Sequence, residues 1–499
     1  MIKKLSLIIL NGWGLSSSWG GNAIAAANPG NFLKFWGQGL CMIIKPAQKK
    51  AGLYADEDGI TLSEIYVGRE VKRIKEIVDD VVGRRELGEC LELKKSIENC
   101  KTNTSSLNLV TTIAENDEYS DPDNIKILLE ILKVERIRNI NIHLILEGET
   151  GAVSRKVETL ANSINDFEEA QISSIQGNHY LSEIGSKNFQ RSYSSIVLGT
   201  GEKALDAISV LSKNKNLPKL DDLEPHIICS GNQAIGKIFD FDSVLSLDYK
   251  RSNLNNFIRY LSAFEVGSKS YKPMGIKIST LTDYYYGAGP KDIGIIIDRD
   301  QINNSVLSLA EDAGLKNVEI FGSKNSWKHY YLSGFKKKNQ SSGSCIVVAN
   351  DGSEKTYDAK RWLNTYRDTV GDNINIITSY LSASDFSART GSIKEDIESI
   401  KVVDKLLGEM VEINFQNNYQ TIILADESGL ESAGINSNPL PFIYLKDSES
   451  LNNDDSLIQR KITIEGLLRA KSSTYDIAPT ICKIMDITKP DEMTGESLI

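Results

Sequence analysis

The sequence predicts an α/β fold with mostly parallel sheets, and two observations lead to this prediction. Short apolar runs, such as residues 5–10 and 421–425, end at polar residues, as strands covered on both faces of a parallel sheet do. Segments with the apolar spacing of amphipathic helices, such as residues 123–134 and 393–415, lie between the runs. Strands that alternate with helices indicate βαβ units and therefore parallel sheets.

The individual elements follow from the same two patterns. In chain order, apolar runs predict strands at residues 5–10, 107–113, 140–146, 195–198, 293–297, 318–321, 345–348, 374–377 and 421–425, and residues 437–445 lead into a further strand. Helical spacing predicts helices at residues 71–82, 123–134, 302–313 and 393–415, and a helix that begins within residues 473–480. Residues 11–70 are expected to form a loop region, and residues 284–290 a linker between two domains of similar size.

Composition excludes several classes of protein. With 499 residues, 40% of them hydrophobic, the chain can bury real cores, and at roughly 100–200 residues per domain it has room for two to four domains. Six scattered cysteines without a CxxC pair argue against a disulfide scaffold or a zinc ribbon. A net charge of -10 argues against nucleic-acid binding, and no apolar run approaches the roughly 20 residues of a membrane span. The apolar run at the N-terminus is too short for a signal peptide, so we expect a cytoplasmic protein.

Polar residues follow two of the predicted strands. Asn11 follows the first strand, and Asp426 and Glu427 follow residues 421–425. Carboxyl ends of parallel strands share one edge of a sheet, where such folds bind ligands, and two carboxylates there could hold a hard cation. The simpler alternatives are a turn at Asn11 and a helix N-cap at Asp426.

Two further segments contain residues that could carry chemistry. Ser63 is expected in a polar loop, where a lone serine usually has no chemical role, and no histidine or aspartate spacing supports it as a nucleophile. Asp385 and Arg389 are four residues apart, as in an ordinary helical ion pair.

Motifs along nearly the whole chain resemble those of the cofactor-independent phosphoglycerate mutases of the alkaline phosphatase superfamily. They are LIILNGWGL at residues 7–15, NAIAAANP at 22–29, AGL at 51–53, SE at 63–64, NPLPFIYL at 438–445, STYDIAPT at 473–480 and EMTGESLI at 492–499, in the order of the family.

The resemblance implies a fold and a reaction. An alkaline-phosphatase-like three-layer domain would be discontinuous, made of residues 1–75 plus 289–499, with a transferase-like α/β domain of residues 76–288 inserted into it. Members of the family isomerise 3-phosphoglycerate and 2-phosphoglycerate. A serine takes the phosphoryl group and returns it to the other hydroxyl, while two Mn²⁺ or Mg²⁺ ions activate the serine and hold the phosphoryl oxygens.

The first metal position of the family is altered but keeps oxygen donors. Asn11 stands where the family has a metal-binding aspartate, Ser63 matches the nucleophile, Asp426 matches a metal aspartate, and Glu427 replaces the histidine beside it. These four residues could still hold one Mn²⁺ or Mg²⁺ ion.

The second metal position is altered more severely. Asp385 matches a metal aspartate, but Arg389 and Ile435 fall where the family has histidines. A guanidinium has no acceptor and an isoleucine has no ligand atom, so this site is expected to be absent. We hypothesise that Arg389 replaces the missing positive charge by pairing with Asp385 or Glu427.

The inserted region also departs from the family at its substrate-binding motifs. Histidines and arginines are replaced in Tyr119-Ser120-Asp121, Glu147-Gly148-Glu149-Thr150 and Gln176-Gly177-Asn178-His179-Tyr180. The remaining candidates for phosphate contact are Lys250, Arg251 and Lys324.

The resemblance together with these substitutions predicts a protein that keeps the mutase fold without the isomerisation. It would use no cofactor and would serve a structural or regulatory role in a complex with protein partners that the sequence does not identify. Two alternatives remain open at this point. One is an active Mn²⁺-dependent mutase of glycolysis acting on phosphoglycerate, and the other is a repurposed phosphohydrolase with a single metal ion.

Overall fold

A computed structural model describes residues 3–16, 21–45, 60–117, 119–262, 272–283, 292–302, 304–322, 328–333, 344–348, 359–371, 373–383, 392–427, 429–430, 438–451 and 472–499. The chain divides into two compact units, one of residues 1–71 and 301–499 and the other of residues 72–300. The sequence predicts nearby boundaries, after residues 75 and 288. The assignment of the units as phosphatase-like and transferase-like stays a prediction.

Strands in the described part of the chain belong to two sheets. They are β1 (Leu5–Asn11), β2 (Leu40–Ile44), β3 (Leu107–Ala114), β4 (Ile140–Glu147), β5 (Ala170–Gly177), β6 (Glu202–Ala204), β7 (His226–Ser230), β8 (Gln233–Ala234), β9 (Ser243–Ser246), β10 (Lys277–Thr282), β11 (Ile293–Ile297), β12 (Asn317–Gly322), β13 (Ser344–Val348), β14 (Ile376–Ser382), β15 (Gln420–Ala425) and β16 (Leu440–Leu445).

Helices pack around these sheets. The α-helices are α1 (Ala23–Ala27), α2 (Gly30–Gln38), α3 (Ile60–Val67), α4 (Ile74–Gly83), α5 (Leu91–Asn103), α6 (Pro122–Val134), α7 (Thr150–Ile164), α8 (Lys187–Tyr193), α9 (Ala207–Lys213), α10 (Leu254–Ser262), α11 (Val306–Asp312), α12 (His329–Leu332), α13 (Ala359–Gly371), α14 (Ile393–Gln416) and α15 (Ile477–Met485). Short 3₁₀ segments lie at Leu87–Glu89, Asn178–Leu181, Leu220–Asp222, Ser448–Leu451 and Thr474–Asp476, and a π turn at Ser194–Leu198.

The unit of residues 1–71 and 301–499 is built on a sheet whose strand order, within the described residues, is β13-β12-β14-β1-β15-β16-β2. Strands β13, β12, β14, β1 and β15 pair in parallel, and β16 pairs antiparallel with β15 and β2. Strand β1 is at the centre, and all its residues from Leu5 to Leu10 are fully buried. Burial of both faces explains why the run is apolar apart from Ser6, instead of alternating.

The unit of residues 72–300 is built on a second sheet, in which the described strands follow the order β11-β10-β9-β3-β4-β5-β7-β6, with β8 paired to β7. Strands β11, β10, β9, β3, β4 and β5 pair in parallel. A large apolar core packs on the sheet and includes Leu128 of α6, Val157 of α7, and Leu109, Leu144 and Leu245 of the strands.

The α/β prediction is confirmed, with mixed sheets and parallel centres. The predicted strand at residues 195–198 is wrong, because these residues form the π turn Ser194–Leu198 that continues from α8. Short apolar runs fit a buried helical turn as well as a strand. The loop expected at residues 11–70 contains α1, α2, β2 and α3. Strand β14 begins at Ile376 and not at residue 374, and α11 begins at Val306 instead of residue 302.

Three of the strands that the apolar runs do not predict have polar side chains among their buried residues. Strand β5 contains buried Ser173 and Ser174, β9 contains buried Ser243 and Ser246, and β10 contains buried Thr280. None of the helices in the described part of the chain has the length and apolar composition needed to cross a membrane.

Candidate functional site

The carboxyl ends of three neighbouring strands bring polar side chains to one edge of the first sheet. In the parallel register, Asn11 of β1 lies opposite Ser382 of β14, and Leu10 lies opposite Ala425 of β15. Asp426 and Glu427 follow β15 directly. The register therefore places Asn11, Ser382 and Asp426 side by side, as the sequence predicts for Asn11, Asp426 and Glu427.

The amide of Asn11 joins these side chains through both of its polar atoms. Its Nδ2 donates to Oδ1 of Asp426 at 3.3 Å and also to Oε1 of Glu427. Its Oδ1 accepts a hydrogen bond from Oγ of Ser382 at 3.1 Å. The family resemblance assigns that amide oxygen to a metal ion, whereas in the structure it already accepts from Ser382, and the amide nitrogen faces the two carboxylates.

Lys328 places an ammonium group in this cluster. Its Nζ lies 3.4 Å from Oδ2 of Asp426 and 3.8 Å from Oε1 of Glu427, and it donates a hydrogen bond to the hydroxyl of Tyr380. The Tyr380 hydroxyl in turn donates to Oδ2 of Asp426 at 2.9 Å. The side chains of Lys328 and Asp426 are only 5% and 3% exposed, so water screens their attraction poorly.

Opposing effects act on the carboxyl group of Asp426. Burial raises its pKa above the ordinary value, because it disfavours the charged form. The Lys328 ammonium lowers this pKa, the neighbouring Glu427 raises it, and the hydrogen bonds from Tyr380 and Asn11 lower it. The ammonium is thus the largest of the influences that lower this pKa, while burial makes the net shift upward. We call Asn11, Lys328, Tyr380, Asp426 and Glu427 the ammonium cluster.

Ser63 lies in a helix, which corrects the expectation of a polar loop. Every residue of α3, including Ser63, is buried. Residues 60–67 resemble a loop because Thr61, Ser63 and Glu64 are polar. The Ser63 hydroxyl donates to the main-chain carbonyl of Tyr331 at 3.0 Å. Among the described residues, no hydrogen bond joins it to Asn11, Asp426 or Glu427, with which the family resemblance groups it.

Four predicted site residues lie outside the described residues: Asp385, Arg389, Ile435 and Lys324. The pairing hypothesised for Arg389 therefore stays a prediction. Within the described ranges, no group of three or more histidine, cysteine, aspartate or glutamate side chains could hold a metal ion.

The second sheet has its own polar edge, at the carboxyl ends of β3, β4 and β5. Glu147 is the last residue of β4, and its carboxylate accepts hydrogen bonds from the Tyr119 hydroxyl at 3.0 Å and from the amide of Asn178. Each of these three residues belongs to one of the altered substrate-binding motifs. The register of β3, β4 and β5 thus brings the three motifs together around the Glu147 carboxylate.

Two of the remaining candidates for phosphate contact, Lys250 and Arg251, lie near the same edge, after β9. Asp248 is fully buried and accepts hydrogen bonds from Thr112 and Ser252, while Lys250 is half-buried and Arg251 is exposed. Burial raises the pKa of Asp248. The exposed Glu149 lies two residues beyond β4.

Sequence reasoning missed Lys328, Tyr380 and Ser382. The last two alternate with apolar residues at the end of β14, so the strand pattern could have placed them on the sheet edge beside Asn11. Lys328 lies four positions beyond Lys324, which the resemblance selects, and only the three-dimensional structure shows its partners.

Comparisons with known proteins match the whole length of the chain. The sequence profile of the family described as "BPG-independent PGAM N-terminus" matches residues 78–286. The 2,3-bisphosphoglycerate-independent phosphoglycerate mutase of Clostridium botulinum is 24% identical over 100% of this chain and 99% of its own. The enzyme of the same name from Listeria welshimeri is 24% identical over 99% of both chains.

A solved structure has the same fold. Phosphoglycerate mutase of Leishmania mexicana, crystallised at low cobalt concentration, superposes with a TM-score of 0.75 over 99% of this chain and 97% of its own, at 13% identity. The matched residues include both compact units.

Proposed function

This chain belongs to the 2,3-bisphosphoglycerate-independent phosphoglycerate mutase family, and from that premise we propose that it keeps the family fold without the metal-dependent isomerisation. The proposal concerns the phosphoryl-transfer step. It leaves the protein a role based on its shape and surface, as a structural or regulatory component of a complex. Its partners and its cytoplasmic location remain predictions.

The environment of Ser63 carries the proposal. A serine that accepts a phosphoryl group must present its oxygen to phosphorus and give up its proton to a base or a metal-bound oxygen. Ser63 is fully buried, and its proton points to the carbonyl of Tyr331, which is no base. The helix that positions it is buried along its whole length, so the hydroxyl cannot reach a phosphate without rearrangement of α3.

The donor set at the sheet edge does not fit the divalent metals that the family resemblance implies. A Mn²⁺ or Mg²⁺ ion needs several oxygen or imidazole donors directed at one point. In the ammonium cluster, the Asn11 amide directs its NH₂ group toward both carboxylates, and the Lys328 ammonium already balances part of their charge. We therefore derive no step of a reaction through a metal ion.

The charge at the edge of the second sheet also supports the proposal. Glu147 and Glu149 lie at and just beyond the end of β4, and a phosphoglycerate anion would be repelled by both carboxylates. Catalysis of phosphoryl transfer depends on positive groups that stabilise the transferred charge. The described residues around Tyr119, Glu147 and Asn178 provide hydrogen bonds among themselves, with Glu147 as the charged member.

Conversion of 3-phosphoglycerate to 2-phosphoglycerate in the presence of Mn²⁺ tests the proposal. The Clostridium botulinum relative, prepared and assayed in the same way, is the positive control. We expect conversion by the control and none by this chain. Conversion that disappears in a Ser63→Ala variant would establish an active mutase, and slow release of phosphate with one bound metal ion per chain would establish a phosphohydrolase.

A further inference from the structure

We propose that the ammonium group of Lys328 is the permanent cation of the ammonium cluster, so that removing it converts the cluster into a divalent-metal site. The proposal deepens the proposed function and rests on it in one respect, namely that the wild-type cluster does not take up a divalent ion. It concerns the chemistry of five side chains and makes no claim about catalysis.

The position of the Nζ atom supports this role. A lysine ammonium has three N–H donors and no acceptor, and here it faces three oxygens: Oη of Tyr380, Oδ2 of Asp426 and Oε1 of Glu427. The side chain of Lys328 is almost fully buried, and a buried ammonium is stable only where anionic and polar groups compensate for its lost hydration. The ammonium therefore occupies the point on which the oxygens converge.

Lys328 brings its charge to this point from a segment that also contacts Ser63. Lys328 immediately precedes α12, whose Tyr331 carbonyl accepts the hydrogen bond from Ser63. The same short segment thus supplies the positive charge to Asp426 and Glu427 and a main-chain acceptor to Ser63. Because the ammonium is covalently attached to the chain, it loses little entropy on entering the cluster, and a chelator cannot remove it.

The remaining oxygens suit a divalent ion once the ammonium is absent. Asp426 and Glu427 provide two carboxylates. Rotation of the Asn11 amide would turn its carbonyl oxygen toward the same point as these carboxylates, where an ion could bind. Hard cations such as Mn²⁺ and Mg²⁺ prefer carboxylate and amide oxygens. Truncation of the lysine side chain removes the competing charge and leaves space for the ion and its water ligands.

Three full-length proteins test this inference: the wild type, Lys328→Ala, and Lys328→Ala combined with Asp426→Asn. Each is freed of metal with a chelator and titrated with Mn²⁺, while the melting temperature and the number of Mn²⁺ ions bound per chain are measured. We expect no binding and no shift for the wild type. Lys328→Ala should melt at a lower temperature, bind one Mn²⁺ ion and recover several degrees. The double variant should lose this gain, because the gain depends on the Asp426 carboxylate.

Several results would overturn the inference. One is a folded Lys328→Ala variant that binds no Mn²⁺, and another is binding that survives in the double variant. If Lys328→Ala does not fold, refolding with Mn²⁺ or with propylammonium should rescue it, and failure of both cations counts against the inference. The proposed function fails separately, if the wild type supplied with Mn²⁺ isomerises phosphoglycerate, because no Lys328 variant enters that assay.

Discussion

The Nζ atom of Lys328 lies 3.4 Å from Oδ2 of Asp426, and both side chains are nearly inaccessible to water. This pair balances charge at the carboxyl ends of β1, β14 and β15, the edge at which parallel sheets usually bind their ligands. An edge that could bind a cation from solution therefore contains a cation of the chain itself, the Lys328 ammonium. The same relationship leads to the first prediction.

Substitution of Lys328 by methionine should strongly destabilise the unit of residues 1–71 and 301–499. The change keeps most of the side-chain volume but leaves the buried Asp426 carboxylate without its cation, which costs about 3–5 kcal/mol. Urea unfolding measures the loss. Lys401→Met is the control, because Lys401 forms an exposed ion pair with Glu398 and should contribute less than about 1 kcal/mol. Equal losses in the two variants would contradict the importance of the buried pair.

Substitution of Ser63 by alanine should lower stability by about 1 kcal/mol, because it removes one buried hydrogen bond to the Tyr331 carbonyl. Equilibrium unfolding in urea is again the measurement. The matched control is Ser212→Ala, in which an exposed helical serine loses an equivalent bond to the Ile208 carbonyl and water replaces it. A stabilising Ser63→Ala change would suggest a strained hydroxyl, as expected of an active-site serine, and would count against the account.

Asp404 of α14 should contribute to stability through its contacts with the start of α2. Its carboxylate accepts hydrogen bonds from the backbone N–H of Asn31 at 3.0 Å and of Phe32 at 2.8 Å. Hydrogen bonds from a helix N-terminus to a buried carboxylate are favoured by both the free N–H groups and the helix dipole. Asp404→Ala should therefore cost about 1–3 kcal/mol in a chemical denaturation experiment.

The control for Asp404 lies on the same helix. Glu398 is exposed and pairs only with Lys401 among the described residues, so Glu398→Ala should change stability by less than about 0.5 kcal/mol. If both variants unfold at the same denaturant concentration, the contact between α14 and the start of α2 has no special importance.

His143 should make the unit of residues 72–300 less stable in acid. Its ring is fully buried in β4, with Nδ1 2.8 Å from Oγ of Ser174, and burial lowers its pKa from 6.5 to about 3. Between these values the unfolded state binds the proton and the folded state does not. The free energy of unfolding is therefore not reduced by His143 above the unfolded pKa. Below that pKa it decreases as the pH falls, by up to about 1.4 kcal/mol per pH unit.

Unfolding of this unit at several pH values, for wild type and for His143→Gln, measures the effect. Between about pH 7 and about pH 5, the wild type should lose about 2 kcal/mol more than the variant. The comparison of two proteins cancels the contribution of carboxyl groups such as Asp242, whose pKa burial raises. Parallel pH profiles would show that His143 is not buried in its neutral form.

Local patterns in the sequence predict part of the site. Strands β1 and β15 are mostly apolar runs, so the sequence alone assigns the polar residues that follow them, Asn11 and Asp426, to one sheet edge. The amphipathic periods of α6 and α14 likewise place those helices correctly, at Pro122–Val134 and Ile393–Gln416. These features depend on residues close together in the chain.

Features that depend on tertiary contacts could not be predicted in this way. Lys328 and Asp426 are 98 positions apart, and nothing in the segment around Lys328 distinguishes its lysine from a surface residue. The sequence predicts a loop at Ser63 because serine and glutamate are unusual in a fully buried helix. Tertiary contacts compensate for both, since Ser63 donates to Tyr331 and Glu64 accepts from Thr474.

Phosphorylation of Ser63 tests the central claim most directly. The wild type is incubated with Mn²⁺ and 3-phosphoglycerate, quenched in acid, digested and analysed by mass spectrometry for the peptide that contains Ser63. The Clostridium botulinum relative is treated in parallel. We expect an unmodified Ser63 peptide from this chain. A phosphoryl group on Ser63, absent when 3-phosphoglycerate is omitted, would show that the buried hydroxyl is a working nucleophile and would contradict the proposed loss of isomerisation.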